Sequence, residues 1–76
     1  MPTTGVPLGA QQGSVVEFDD PRGLGTVRSD EGVEYPFHCT AVADGTRTIE
    51  VGTRVCFLVV PWHQGRYEAV ALSPAS

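Results

Sequence analysis

Two tight-turn signals, Asp19-Asp20-Pro21-Arg22-Gly23 and Asp30-Glu31-Gly32, most narrowly limit what this chain can fold into. Proline holds φ near the value that the first turn needs, and an acidic pair running into glycine makes the second. The segment between them, Leu24 to Ser29, reads as a strand. Ser14 to Phe18 precedes it and Val33 to His38 follows it, both with apolar residues at alternate positions. Three short strands joined by two tight turns make an antiparallel meander. Pro36 removes a backbone donor from the third, which suits a sheet edge or a bulge.

The remainder supplies two more strands. Cys39 to Glu50 is irregular, with a single helical turn expected over Thr40-Ala41-Val42 and a bend at Asp44-Gly45; a long helix has no room there. Gly52 opens a fourth strand, Arg54 to Val60, rich in β-branched residues. Pro61 to Gly65 forms a loop, and Arg66 to Leu72 the fifth strand. The expected organisation is a flexible N-terminal tail (1–12), one β domain (13–72) and a short C-terminal tail (73–76). With 76 residues the chain has room for one small domain and a thin core. That size argues against a self-sufficient enzyme and for a binding module or accessory subunit.

Alternation assigns the faces. Val15, Val27, Tyr35, Phe37, Val55, Phe57 and Val59 form the inward set, while Val16, Glu17, Thr26, Pro36, Cys56 and Leu58 point outward. Five short antiparallel strands with one apolar face must bury that face and protect their edges. A small closed barrel does both, and an SH3-like barrel is the main structural rival.

Charge narrows the partners. Five arginines, no lysine and nine acidic residues give a net charge of −4, the wrong sign for gripping duplex phosphates along a broad basic face. Single-strand binding remains open, because stacking supplies much of that contact. There is no secretory signal pattern, and the apolar run Val55 to Val60 is too short to cross a bilayer. A cytoplasmic location is therefore expected, with Cys39 and Cys56 as free thiols.

The order of elements resembles a cold-shock domain, the five-stranded oligonucleotide/oligosaccharide-binding barrel (OB-fold). Gly13-Ser14-Val15-Val16-Glu17-Phe18-Asp19 stands where the family has Gly-x-Val-Lys-Trp-Phe-Asn. Arg22-Gly23-Leu24-Gly25-Thr26-Val27 is the counterpart of Lys-Gly-Phe-Gly-Phe-Ile, the family's nucleic-acid motif. Tyr35-Pro36-Phe37-His38-Cys39-Thr40-Ala41-Val42 corresponds to Val-Phe-Val-His-Phe-Ser-Ala-Ile. Gly52-Thr53-Arg54-Val55-Cys56-Phe57 resembles the Gly-x-x-Val-x-Phe start of strand four. The resemblance implies an all-β fold, a small five-stranded antiparallel OB-fold barrel, without catalysis, metal or cofactor.

It also implies a site, much altered. Where the family stacks bases on aromatic rings, this chain has Glu17, Leu24, Thr26, Pro36, Cys39 and, in the long loop, Thr46; only Phe18 and His38 keep ring character. The expected nucleic-acid contacts are Phe18, Arg22, Leu24, Thr26 and His38, binding single-stranded RNA or DNA weakly. Glu17 puts a negative charge in the path of the phosphates. Arg22 and Arg28 flank strand two, placed either to meet phosphates or to offset Asp19, Asp20 and Asp30; Arg47 lies in the variable loop. Trp62, His63 and Tyr67 form a second aromatic group, which either binds a base or closes one end of the barrel.

The alternative function is protein interaction or self-association through an apolar face of Leu24, Pro36, Cys56 and Leu58, giving a homodimer or a protein partner. His38, Cys39, Cys56 and His63 are metal-binding residue types, but they lack paired knuckle spacing, so no metal is expected. No catalytic constellation stands out, and no membrane association is expected.

Overall fold

The computed structural model describes residues 9–42 and 48–75. The strands are β1 (Gly9–Asp19), β2 (Leu24–Ser29), β3 (Glu34–His38), β4 (Arg54–Pro61) and β5 (Tyr67–Pro74). A single 3-10 turn, Cys39–Ala41, follows β3, and a second, His63–Gly65, joins β4 to β5. The expected bend at Asp44-Gly45, Thr46 and Arg47 lie outside the described residues.

All ladders are antiparallel, in the order β3-β2-β1-β4-β5. This corrects the expected closed barrel: the sheet is open, with β3 and β5 as edges that pack against each other without forming a ladder. The physical reason lies in β3, which is five residues long and carries Pro36 at its middle. Proline has no N–H to give a further strand, so burial of the core rests on side chains crossing the gap. Val42 and Leu72 make one isolated parallel bridge beside it.

β1 is longer than the expected Ser14 to Phe18. Gly9 to Ser14 lie opposite Val59 to Arg54 of β4, a pairing made by backbone groups of a segment with little apolar alternation. Past this point Val15 N–H donates to Thr53 O at 2.9 Å and Gly52 N–H donates to Val15 O at 2.7 Å. The β1–β2 register then slips: Val15 faces Val27 and Glu17 faces Thr26, which leaves Val16 as the extra residue of a β-bulge. After the bulge Glu17 is outward and Phe18 turns back toward the core. β5 has its own irregularity, Cys56 opposite Ser73 but Leu58 opposite Val70, and Ala71 within it adopts φ 55°.

The core is Val15, Val27, Tyr35, Phe37, Val42, Val55, Phe57, Val59, Ala69 and Leu72, all buried. The whole inward set read from alternation is among them. Phe18 packs on the core edge, its ring stacked on Phe37 with centroids 6.0 Å apart and planes 9° apart. Gly25 makes that contact possible: it sits between Phe18 on β1 and Phe37 on β3, and a Cβ there would lie 2.8 Å from Glu17 O and 2.7 Å from Phe37 Cε2. Two strands apart, the backbones are about 9–10 Å distant, so the rings lean together over the space that glycine leaves.

Surface charges are paired locally. Arg28 holds Glu34 at 2.6 Å, and Arg54 grips Asp30 through two bonds of 2.6 and 3.0 Å. Hydrogen bonding from Arg54, aided by its charge and opposed by partial desolvation, keeps the Asp30 carboxyl below the usual carboxylate range. A depressed folded-state pKa stabilises the fold above the unfolded value, about 3.9, and that stabilisation is lost as pH falls through the folded value. Asp30→Asn is therefore expected to lower the urea midpoint slightly at about pH 7 and to lower it less at a pH well below the ordinary carboxylate range. An equal deficit at both pH values would remove the pair from the acid sensitivity of the fold.

Candidate functional site

The β1–β2 turn and the end of β3 are tied together by backbone. Gly23 N–H donates to Asp19 O at 2.8 Å, and Cys39 N–H donates to Gly23 O at 2.7 Å. This brings Arg22 and Leu24 beside His38, which is Leu24's register partner across β2–β3. The β4–β5 loop rises against the same region and delivers Trp62, whose N–H donates to Arg66 O at 2.7 Å to close the loop.

The result is a pair of adjoining hollows on the outer face. One, of about 320 Å³, is bordered by Glu17, Asp19, Arg22, Leu24, Thr26 and Trp62, with Gly25, Pro36 and Phe37 as its remaining lining. The other, of about 290 Å³, shares Leu24, Pro36, Phe37 and Trp62 and adds His38 and Glu68. Such volumes fall near the lower end of small-ligand sites, roughly 300–1,000 Å³. Leu24 is 47% exposed and Trp62 41% exposed, so large apolar side chains line an open groove. Carboxylates of Glu17, Asp19 and Glu68 rim it. Arg22 is its single cation and has no carboxylate partner among the described residues.

The five residues expected to meet nucleic acid are distributed as follows. Arg22, Leu24 and Thr26 line the first hollow and His38 the second. Thr26 Oγ1 donates to Glu17 Oε1 at 3.4 Å, a long bond that leaves the carboxylate largely open. His38 is exposed and caps the 3-10 turn, its Nδ1 accepting from Thr40 N–H at 3.3 Å. In neutral imidazole that acceptor role leaves the proton on Nε2. Phe18 is half-buried beneath, stacked on Phe37, and supports the groove rather than lining it. Arg28, engaged by Glu34, is not among the lining residues.

The four residues of the expected apolar face do not form one patch. Leu24 and Pro36 line the groove, with Leu24 opposite Asp19 at one end of β1. Leu58 lies opposite Ala10 at the other end of β1, and Cys56, half-buried, opposite Gln12. Trp62 is what joins Leu24 and Pro36 instead. Reading it with Tyr67 as a separate aromatic group missed this; Tyr67 lines a different hollow with Val33 and Arg66. The missing signal was loop placement, which strand alternation does not encode.

Cys39 and Cys56 are free thiols. Among the described residues no group of three or more His, Cys, Asp or Glu is placed to hold a metal ion, and no helix is long and apolar enough to cross a membrane.

No protein-family model and no curated protein matches this chain. Among solved structures 13 chains match. One, titled drosophila Unr CSD456, superposes with a TM-score of 0.75 at 26% sequence identity over 91% of this chain. The present chain spans 28% of that one.

Proposed function

We propose, on the premise that this chain is a divergent cold-shock domain as its structural homology supports, that it binds a short single strand of nucleic acid weakly. Cold-shock domains are non-catalytic, and the module is non-enzymatic. The observation that carries the reading is the groove in which Trp62, Leu24 and Pro36 border one hollow with Arg22. Trp62 offers a ring to a base from the β4–β5 loop, while the strand aromatics of the family are replaced in β1 to β3. Leu24 and Pro36 supply apolar contact, Arg22 meets a phosphate, and Thr26 and His38 offer polar contacts at the margins. Phe18 supports this surface from below. Free thiols suit a cytoplasmic setting for such a module.

Affinity is limited by the acidic rim and by Arg22 being the one arginine lining the groove among the described residues. Each arginine–phosphate contact to a single strand contributes a slope of roughly −0.7 in log affinity against log salt. The groove's one arginine therefore gives a shallow dependence, and Arg22→Ala is expected to flatten it further. Trp62→Ala removes about 1–3 kcal/mol of stacking, about five- to 150-fold in affinity. Both are read by NMR titration of labelled protein with a mixed-sequence single strand at low and moderate salt. Shifts centred on the groove, at Glu17, Arg22, Leu24, Thr26, His38 and Trp62, support the proposal, whereas silence at sub-millimolar strand rejects it.

A second reading has its own observation: the groove is apolar with three carboxylates on its rim, a character that also suits a basic, apolar protein segment. It gains if single strands leave the spectrum unchanged.

A further inference from the structure

We infer that the groove selects guanine, read by the carboxylate of Glu17; this rests on the nucleic-acid reading above and names its preferred base. The Val16 bulge turns Glu17 to the outer face opposite Thr26, where its exposed carboxylate borders the same hollow as Trp62 and Leu24. Its hydrogen bond from Thr26 Oγ1 is long, 3.4 Å, and occupies one oxygen only.

An ionised carboxylate only accepts hydrogen bonds, through two oxygens side by side. A base resting against Trp62 and Leu24 turns its Watson–Crick edge toward such a group only if that edge donates. Guanine presents N1–H and N2–H adjacent to each other, two parallel donors matching two acceptors. Adenine and cytosine each set one amino donor beside a ring-nitrogen acceptor, which the carboxylate repels. Thymine and uracil flank their single N–H with two carbonyl oxygens. Asp19, on the same rim, adds to the penalty on acceptor-rich edges. The charge that weakens phosphate attraction at this surface is thus the charge that discriminates among bases. Single-stranded bases are commonly read on this edge while stacked on a ring.

The test uses the full chain and its single tryptophan, Trp62, as the fluorescent reporter. Thymidine heptamers carrying guanine, inosine, adenine or cytosine at the centre are titrated at one low salt concentration. The guanine strand is expected to bind about tenfold more tightly than the adenine strand, as one bidentate contact allows. Inosine, lacking the N2 amino group, loses most of that advantage. Glu17→Gln, at an exposed position, is expected to keep the fold by circular dichroism, to abolish the guanine preference and to leave the all-thymidine strand bound at least as well. Equal binding of all strands, or a preference that survives Glu17→Gln, overturns this inference while the nucleic-acid reading stands. No binding of any strand overturns both.

Discussion

Phe37→Ala is expected to destabilise the protein by about 3–5 kcal/mol, the cost of deleting a fully buried aromatic ring and leaving its cavity. The total stability of a domain this long is roughly 4–11 kcal/mol, so the substitution removes a large share of it. Phe37 is 2% exposed on the edge strand β3. Its ring packs in the core, stacks on Phe18 at 6.0 Å and reaches over Gly25. Because β3 and β5 share no ladder, packing between them falls mainly to side chains, of which Phe37 and Tyr35 are the large buried ones on β3. Urea unfolding followed by circular dichroism measures the loss. Phe37→Leu, which refills part of the cavity, is expected to recover more than half of it. A loss below about 1 kcal/mol for the alanine variant would mean that the ring is not packed as described.

Gly13→Ala is the second large effect. Gly13 lies mid-strand in β1, opposite Ser29 on one side and Val55 on the other, so neither side can open to make room. An added Cβ would meet Arg28 O and lie 2.8 Å from both Arg28 C and Ser29 Cα. These are backbone atoms of β2, which cannot rotate aside as a side chain would. Relief requires β1 and β2 to separate, at a cost of about 3 kcal/mol, the upper part of the range for overpacked positions. Gln12→Ala, one residue earlier and exposed, serves as the control and is expected to change stability by less than about 0.5 kcal/mol. Similar unfolding midpoints for the two variants would show that β1 and β2 do not approach as closely as described.

Gly13 also marks how far sequence reasoning reached. It opens the pattern that runs through Val15 and Phe18, but its close approach to the β2 backbone shows only in the fold. The two acidic turns delimited β2 at Leu24 and Ser29, its observed ends. Pro36 suited a sheet edge or a bulge, and β3 is an edge. Alternation found the inward residues because a half-buried strand repeats every two residues whatever it packs against.

Other features depended on partners distant in the chain. Gly9 to Gln12 read as tail because they lack apolar alternation, yet their pairing with β4 uses only N–H and C=O groups that every residue carries. The Val16 bulge depends on β1 answering to β2 on one side and to the Gly52–Thr53 backbone on the other. Without it Glu17 would fall on the core face and Phe18 outside. Leu24 and Leu58 both read as outward apolar residues, but only register shows them at opposite ends of β1.

The amino-acid sequence by itself determined the strand count, the two acidic turns and the core residues of β1 to β4, but not Val42, Ala69 and Leu72, since steric limits and hydrophobic periodicity act within a few residues. Tertiary structure alone decided that the sheet stays open, that Phe18 supports the surface, and that Trp62 borders the groove with Glu17 and Arg22. Those outcomes follow from register, bulge and loop placement, which are set by contacts between segments far apart in the chain.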